Sequence, residues 1–352
     1  MSSFDILIIG SGFAGASAAY YLSQKPGLKI ALVDQENQLG QHASGLNAGL
    51  FRQALLDPQV LDWTQESYHH LKNPPADWKE KSIYQASGSL FKDQIQNLKK
   101  YSQILSQAQI PHQLLNAKEI QDFFWKTEKD QGPWLFLPQD GIVQTRAYLN
   151  NLVQASQSRS VQLKLTWQVK SIKRHQNLWQ IKNQTDQSLE GKILINAAGA
   201  WAGQLAQASQ LQAPPFSIYR RHLFISAQGK KSLKDLPYYW DLEKNLYFRQ
   251  DPQGLLLCTG DEEAHPPEKA KVEEGIWSAL QKNFAQYLPK LDYGKRLQAW
   301  ACLRTKGPQG KMLVDWDSQV PNFFWIAGLG GHGLSASLGL GKFASQKILT
   351  KL

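Results

Sequence analysis

"DILIIGSGFAGASAAYYL", residues 5–22, places a strand, a glycine-rich turn and a helix at the start of the chain. The apolar run Asp5–Ile9 predicts a strand buried on both faces, and the small and apolar residues that follow, 13–23, predict a helix. A second apolar run, residues 29–34 ("KIALVD"), predicts the next strand. Together the three segments predict a β-α-β unit.

The turn between this strand and helix fits the pattern GxGxxG, which binds the diphosphate of a dinucleotide. Gly10 allows the tight turn, Gly12 lets the backbone approach the diphosphate, and Gly15 lets helix and strand pack closely. The helix begins at Phe13 and Ala14, where free N–H groups meet the phosphate charge. We therefore predict that all five residues contribute to a dinucleotide site.

An acidic residue at the end of the second strand fits the same site. Asp34 follows Gly15 by 19 residues, where a carboxylate accepts a hydrogen bond from a ribose 2′-hydroxyl. Its neighbour Gln35 carries no positive charge, which argues against a ribose 2′-phosphate. We expect both residues to contact the ribose.

Three further segments rich in small residues favour FAD over a nicotinamide dinucleotide. Each lets backbone N–H groups approach a ligand without obstruction by side chains. They are "HASGLNAGLF" (42–51), "INAAGAWAG" (195–203) and "IAGLGGHGLSASLG" (326–339). Because they lie near the start, in the middle and at the end of the chain, they predict one extended ligand.

The other patterns predict a chain of mixed helices and strands. Helical periodicity occurs at residues 57–71, 93–109, 117–125, 145–157 and 268–288. Strand-rich stretches are predicted at residues 161–198 and 216–259, and a final buried strand and helix at residues 323–328 and 331–349.

Composition excludes several classes of protein. The 352 residues suit two domains, and 42% hydrophobic residues can form real cores. The net charge of +10 is scattered without a basic stripe, which argues against a nucleic-acid partner. The two cysteines give no disulfide framework or metal spacing, and no apolar run approaches the length of a membrane span. We expect a soluble cytoplasmic protein.

The motifs resemble one family of flavoproteins along the whole chain. "IIGSGFAGASAAYYL", "HASGLNAG", "INAAGAWA", "AWACLRTKGP" and "NFFWIAGLGGHGLSAS" are similar to the D-amino-acid oxidase/dehydrogenase family, which includes glycine oxidase and sarcosine oxidase, and above all to its D-arginine-dehydrogenase-like members. The resemblance implies a discontinuous, Rossmann-like FAD-binding domain of the glutathione-reductase type and a substrate-binding domain of antiparallel β-sheet and helices. The predicted bounds are 1–75, 140–212 and 296–352 for the first domain, and 76–139 and 213–295 for the second.

The resemblance also implies which residues contact FAD. It assigns Ser44 and Gly45 to the diphosphate and the backbone of Asn47, Ala48 and Gly49 to the isoalloxazine ring. On the adenosine side it assigns Val169, Ala198, Gly199 and Trp201, and at the pyrimidine end of the flavin the helix start formed by Gly330, Gly331, His332, Gly333 and Leu334. A helix N-terminus there can stabilise the anionic reduced flavin.

A substrate carboxylate is expected beside the flavin. The resemblance assigns Arg304 to a bidentate clamp, supplemented by Tyr247 and by Arg221 or its neighbour Arg220. Gly331 is placed in the substrate site as well. His332 is the titratable group best placed for tuning or proton exchange, although a histidine between two glycines can equally be structural.

This chain departs from the D-arginine-dehydrogenase-like pattern in the substrate pocket. Leu50 and Leu55 stand where those members carry His and Tyr, and Gly88 stands where they carry an acidic residue. The departures predict a less polar pocket that does not prefer arginine or lysine. Arg52, in the same loop, either contacts a second acid or is a solvated loop residue.

Cys302 is predicted to lie near the flavin ring. In monomeric sarcosine oxidase a cysteine at the matching place, with a threonine three residues later, carries the flavin covalently, and this chain has Cys302 and Thr305. D-arginine-dehydrogenase-like members have glycine there and bind FAD without a bond. Both alternatives, a covalent link and a small buried residue, stay open at this point.

The predicted activity is FAD-dependent oxidation of the C–N bond of an amino acid or secondary amine, with dioxygen or a quinone as electron acceptor. Two alternatives share the cofactor. A 2-hydroxy-acid oxidase or dehydrogenase would use the same clamp with His332 as base. A tRNA-modifying amine oxidase would need a basic surface that the charge pattern does not indicate.

Overall fold

The computed structural model describes residues 3–120, 132–228 and 236–352. Its α-helices are α1 Phe13–Leu22, α2 Pro58–Lys72, α3 Ile95–Gln107, α4 Thr145–Ser158, α5 Ala202–Ala208, α6 Glu274–Tyr287 and α7 Gly333–Leu349, with short 3₁₀ turns at Gly199–Trp201 and Pro308–Gly310. Its strands are β1 Ser3–Ile9, β2 Ile30–Val33, β3 Leu50–Phe51, β4 Tyr84–Gln85, β5 Ser89–Lys92, β6 Gln113–Leu115, β7 Trp134–Leu137, β8 Gly141–Val143, β9 Gln162–Lys164, β10 Val169–His175, β11 Leu178–Asn183, β12 Ser188–Asn196, β13 Ser217–Gln228, β14 Tyr238–Asp241, β15 Leu246–Asp251, β16 Gly254–Cys258, β17 Glu263–Ala264, β18 Tyr293–Lys306, β19 Leu313–Trp316 and β20 Phe323–Ala327.

The first sheet has a parallel centre. Strands β9, β2, β1, β12 and β20 lie side by side in that order, all parallel. Antiparallel strands β10 and β11 extend the sheet beyond the first half of β12, and β19 pairs with β20. The central strands are apolar along their length because helices cover one face and a second hydrophobic cluster covers the other.

The second sheet has nine strands and is mostly antiparallel. Its path runs β17, β13, β16, β15, β14, β5, β7 and β6, and the long strand β18 pairs with β13. A small third sheet joins β3 and β4 to the two sides of β8. The strands of the second sheet come from chain segments that alternate with those of the first. Strand β18, whose ladder is formed with β13 of the second sheet, spans the predicted domain boundary at residue 296, and the domain bounds stay a prediction.

The helices over the parallel sheet pack unusually closely. A Cβ on Gly339 of α7 would collide with the backbone of Trp63 in α2, and a Cβ on Gly341 would collide with the backbone of Ser17 in α1. These glycines therefore let α7 lie against both helices, and the helix start at Gly333 is fixed relative to the first sheet. None of the described helices is long and apolar enough to cross a membrane.

The predicted elements agree with the structure in kind and differ at their ends. The helix predicted at residues 117–125 is wrong over 117–120, which form a turn, while residues 121–125 lie outside the described residues. The helix predicted at 268–288 begins only at Glu274, because the charged residues before it supply no apolar face.

Candidate active site

Four parallel strands end at the same edge of the first sheet. Ile9 of β1 lies opposite Val33 of β2 and Asn196 of β12, and Asn196 lies opposite Trp325 of β20. The turns that follow these strands therefore meet at one edge, where open α/β sheets bind their ligands. These turns are the glycine-rich segments and the acid-ended strand of the sequence analysis. A cavity of about 470 Å³ opens there.

Most of the predicted site residues line this cavity. They are Gly10, Gly12, Phe13, Ala14, Asp34, Gln35, Ser44, Asn47, Ala48, Leu50, Arg52, Val169, Ala198, Gly199, Trp201, Arg221, Tyr247, Cys302, Arg304, Gly330, Gly331, His332, Gly333 and Leu334. The structure thus brings together residues that are up to 324 positions apart in the chain, from Gly10 to Leu334.

Four predicted residues do not line the cavity. Leu55 is buried in the hydrophobic core, so it borders no ligand space. Gly15 and Gly45 lie where a Cβ would collide with the carbonyl oxygens of Gly10 and Gly40, and a Cβ on Gly49 would lie 2.8 Å from a carbonyl oxygen. These three glycines shape the turns that other residues present to the cavity.

The start of α1 fits a diphosphate. Gly10 has a φ of +101°, and a Cβ there would collide with the carbonyl of Ala197. A Cβ on Gly12 would lie 2.8 Å from Ser44 Oγ, which accepts a 2.9 Å hydrogen bond from the Phe13 N–H. The first turn of α1 contains no acidic residue. Free N–H groups and a hydroxyl therefore converge where the sequence predicts the diphosphate.

The predicted ribose end combines a carboxylate with an aromatic side chain. Asp34 Oδ2 accepts hydrogen bonds from the Ser11 N–H at 2.7 Å and the Ser11 hydroxyl at 2.6 Å. This contact fixes the carboxylate against the turn before α1. His42 lies 4.4 Å from the Trp201 ring, centroid to centroid, and forms a 2.9 Å contact with Glu36. Both His42 and Glu36 line the cavity, and no sequence signal singled them out.

The loop at residues 42–49 presents its backbone to the cavity. The Asn47 side chain turns back on the loop, where its Oδ1 accepts a 2.8 Å hydrogen bond from the Gly49 N–H. Arg249 Nε donates a 2.6 Å hydrogen bond to the Ala48 carbonyl, and Trp300 Nε1 donates one of 2.7 Å to Leu46. Strand residues of the second sheet therefore hold this loop in place, which sequence analysis did not predict.

A second helix N-terminus opens into the same cavity. Helix α7 begins after Gly330 and Gly331 and has no acidic residue in its first turn. Gly331 has a φ of +94°, and a Cβ there would lie 2.9 Å from Nε of Arg304. The positive end of the α7 dipole and the Arg304 guanidinium thus face the same space, which suits an anionic group.

Alternation along two paired strands puts the predicted clamp on one face. Arg221 in β13 lies opposite Cys302 in β18, and Arg304 lies two residues further along the same strand. Arg220 faces the other way, where it pairs with Glu263 and Glu273. Of the two candidate arginines, the structure therefore places Arg221 at the cavity.

One carboxylate already contacts the clamp. Glu262 accepts hydrogen bonds from Arg221 at 2.8 Å and Arg304 at 3.3 Å, and Lys306 lies 3.0 Å from its other oxygen. Desolvation opposes the charged form of Glu262, but its hydrogen bond with Lys306 and the charges of the two arginines lower its pKa. The Arg221 side chain is 2% exposed, and its Nε and Nη1 have no hydrogen-bond partner among the described residues. Buried polar groups are normally hydrogen-bonded, so this guanidinium keeps capacity for a further partner.

Aromatic side chains form the wall beside the clamp. Tyr247 is buried, which raises its pKa well above the ordinary value, and its ring lies 4.7 Å from that of Trp240. Trp240 also lines the cavity, and its buried Nε1 has no partner. Tyr247 was predicted here, whereas Trp240 carries no sequence signal that separates it from a core tryptophan.

Arg52 and His332 contact each other in the same cavity. Arg52 Nη2 lies 3.2 Å from His332 Nδ1, and the Arg52 guanidinium lies 4.6 Å from the centre of the Trp240 ring. Burial, reinforced by the positive charges of Arg52 and Arg304, lowers the pKa of His332 well below its usual value. His332 is therefore neutral at neutral pH and accepts a hydrogen bond from Arg52.

The residues present fit FAD. Two helix N-termini without acidic first turns, the glycine cradle at Gly12 and a wall of backbone from residues 47–48 all line one elongated cavity. Its volume lies in the range of ~300–1,000 Å³ common for ligand pockets. In the described part of the chain, no three His, Cys, Asp or Glu side chains are grouped to hold a metal ion.

Comparison with known families is decisive. The family model DAO, described as FAD dependent oxidoreductase, matches residues 5–347. The chain belongs to this family. Membership in the DAO family confirms the predicted flavoprotein family, the α/β fold class and FAD as the cofactor.

Similar proteins in the DAO family differ in length. Monomeric sarcosine oxidase of Bacillus sp. (strain NS-129) is 21% identical over 99% of this chain and 93% of its own length. The mitochondrial pyruvate dehydrogenase phosphatase regulatory subunit of Mus musculus is 22% identical over 97% of this chain, which spans only 41% of that protein. Among solved structures, L-proline dehydrogenase from P. horikoshii superposes with a TM-score of 0.87 at 18% identity, covering 99% of this chain and 94% of the other.

Proposed function

We propose that this DAO family member oxidises the C–N bond of an amino acid or secondary amine. The observation that carries the proposal is the buried Arg221, which lines the cavity together with Arg304 and the start of α7, and whose Nε and Nη1 have no hydrogen-bond partner among the described residues. Two guanidinium groups bind a carboxylate in a fixed orientation. A carboxylate held there would present its α-carbon to the flavin site.

The chain's own residues bind and orient the substrate. Arg304 and Arg221 hold the carboxylate, the Tyr247 hydroxyl supplements them, and Trp240 and Leu50 pack against the carbon chain. When bound, FAD accepts a hydride from the α-carbon. The amine nitrogen releases its proton to solvent, and water hydrolyses the imine to a carbonyl compound and an amine or ammonia. Dioxygen or a quinone then takes up the two electrons.

The neutral state of His332 supports amine oxidation over oxidation of a 2-hydroxy acid. A hydroxy acid needs a base to take its hydroxyl proton. His332 is a poor base here, because burial and two arginines lower its pKa and Arg52 already donates to its Nδ1. An amine that binds unprotonated already has a free electron pair on nitrogen. It therefore needs no protein base to remove a proton before the hydride leaves the α-carbon.

The relatives support the same reaction class. Sarcosine and L-proline, after which the similar monomeric sarcosine oxidase and L-proline dehydrogenase are named, are amino acids with a secondary amine. Leu50, which lines the cavity at the place where D-arginine-dehydrogenase-like members carry His, supports a substrate other than arginine or lysine. A cytoplasmic location also remains a proposal, and cell fractionation tests it.

The test is an absorbance spectrum of the purified protein, followed by anaerobic titration with amines. We expect a flavin spectrum that bleaches with at least one of D-amino acids, N-methylglycine, glycine and proline, and not with the matching 2-hydroxy acids. Bleaching by hydroxy acids alone would overturn the proposed reaction. Reoxidation in air compared with reoxidation by a soluble quinone then identifies the acceptor.

A further inference from the structure

Arg52 is a cation in the cavity with no carboxylate partner. Its guanidinium contacts the His332 ring at 3.2 Å and lies 4.6 Å from the centre of the Trp240 ring. Within the ranges that the structure describes, no ion pair includes Arg52. Asp140 lies in the neighbouring core, but Gln53, Ser89 and Tyr238 occupy both of its oxygens. Arg52 therefore keeps donors available to a ligand.

The balance of charge in the substrate part of the cavity is positive. Arg52, Arg221 and Arg304 all line it, and the ion pairs of the described residues give the last two a single shared carboxylate, that of Glu262. His332 between them is neutral and Trp240 contributes only the face of its ring. A ligand with one carboxylate satisfies the clamp and leaves Arg52 without a carboxylate in direct contact.

The guanidinium groups of Arg304 and Arg52 contact two consecutive residues, Gly331 and His332, in the turn before α7. Arg304 occupies the space where a Cβ of Gly331 would lie, with its Nε, Cζ and Nη2 at 2.9–3.1 Å, and Arg52 contacts the side chain of His332. Both guanidinium groups therefore approach the turn before α7, and both residues line the cavity. Leu50 and Trp240 add apolar surface to the same cavity.

We propose that the substrate is an amine with two carboxylates, an amino diacid or imino diacid. One carboxylate binds Arg304 and Arg221, the second binds Arg52, and the short carbon chain between them packs against Leu50 and Trp240. The reaction of such a substrate rests on the proposed function, whereas the binding of two carboxylates does not. The role of Arg52 is thus to select diacids over monoacids.

The test measures binding by calorimetry, with the FAD-loaded protein and acids that cannot be oxidised. Succinate is compared with propionate, and glutarate with butyrate, because the acids of each pair differ mainly by the second carboxylate. A hydrogen-bonded charge contact predicts about 10-fold to 100-fold tighter binding of the diacid. The unmodified protein is sufficient for this test. Equal affinities for the two acids of both pairs, or no measurable binding of either diacid, would overturn the proposal.

Two variants locate the effect. In Arg52→Gln we expect the preference for the diacid to fall to about 1, with monoacid affinity changed less than about 3-fold. Arg296→Gln is the matched control, since Arg296 also lies over a tryptophan, Trp277, at 6.0 Å, but is exposed outside the cavity. A preference retained in Arg52→Gln also contradicts the proposal.

The outcomes separate this inference from the proposed function. Diacid preference that depends on Arg52, without flavin bleaching by any amine, would refute the reaction and leave the diacid site. Flavin bleaching by amines, with diacids bound no more tightly than monoacids, would refute the diacid site and leave the proposed reaction standing.

Discussion

Glu262 lies 2.8 Å from Nη2 of Arg221, so the buried arginine of the proposed carboxylate clamp has an internal carboxylate as its partner. A substrate carboxylate must share or replace this contact, because Glu262 also accepts a hydrogen bond from Arg304. The loop that carries Glu262 is itself fixed, since its neighbour Asp261 accepts a 2.7 Å hydrogen bond from His222. Glu262 therefore reduces the positive charge of the clamp while no substrate is bound.

Replacing Glu262 should increase the affinity for the substrate and decrease the stability of the fold. In Glu262→Gln we expect the KM for the amine substrate to fall about 3-fold to 10-fold, because the substrate no longer competes with a carboxylate. We expect the free energy of unfolding to fall by about 1–3 kcal/mol, because Arg221 is buried and loses its charged partner. Steady-state kinetics and urea unfolding measure the two effects. A raised KM would contradict the competition and assign Glu262 to positioning the arginines.

Replacing Arg304 should weaken substrate binding without unfolding the protein. Arg304→Ala removes half of the proposed carboxylate clamp, which predicts a loss of about 2–5 kcal/mol in substrate binding, visible mainly as a raised KM. Arg220→Gln is the control, because Arg220 lies on the same sheet but faces Glu263 and Glu273. That variant should lower the melting temperature and change KM less than about 3-fold. Equal KM values in the two variants would exclude the clamp.

The sequence predicted the cofactor half of this molecule better than the substrate half. Gly10 and Gly331 are required by local backbone geometry, so a short sequence motif is enough to predict them. Arg52 and Trp240 come from separate segments, and only the tertiary fold brings them to one cavity. The same holds for the contact of Glu262 with Arg221 and Arg304. No local periodicity encodes such a contact. For the same reason Leu55, predicted in the pocket from its place in a loop, lies in the core.

Cys302 should not hold the flavin covalently. The thiol lies at the cavity, and burial raises its pKa to about 12, so at neutral pH it is protonated. Covalent attachment would use the thiolate as the nucleophile. We therefore expect acid precipitation to release all yellow colour into the supernatant, and Cys302→Ser to retain FAD. A yellow pellet that turns colourless in Cys302→Ser would establish the bond that the raised pKa argues against.

Asp140 should make stability fall as the pH rises. It is fully buried beneath the loop that carries Arg52, and burial raises its pKa to about 6, although hydrogen bonds from Ser89, Gln53 and Tyr238 oppose the rise. In the unfolded chain its pKa is about 3.9. The folded state therefore binds the proton more tightly, and its contribution is complete below pH 4 and lost as the pH rises through 6.

The matching variant removes this dependence. Between pH 4 and pH 7 the wild type should lose about 2 kcal/mol of unfolding free energy relative to Asp140→Asn, which carries no titratable group there. Asp315→Asn is the control, because Asp315 is an exposed carboxylate paired with Lys347 and should leave the pH profile of the wild type unchanged. Parallel profiles for the wild type and Asp140→Asn in urea unfolding would mean that Asp140 stays ionised in the core, held by the four donors that surround it.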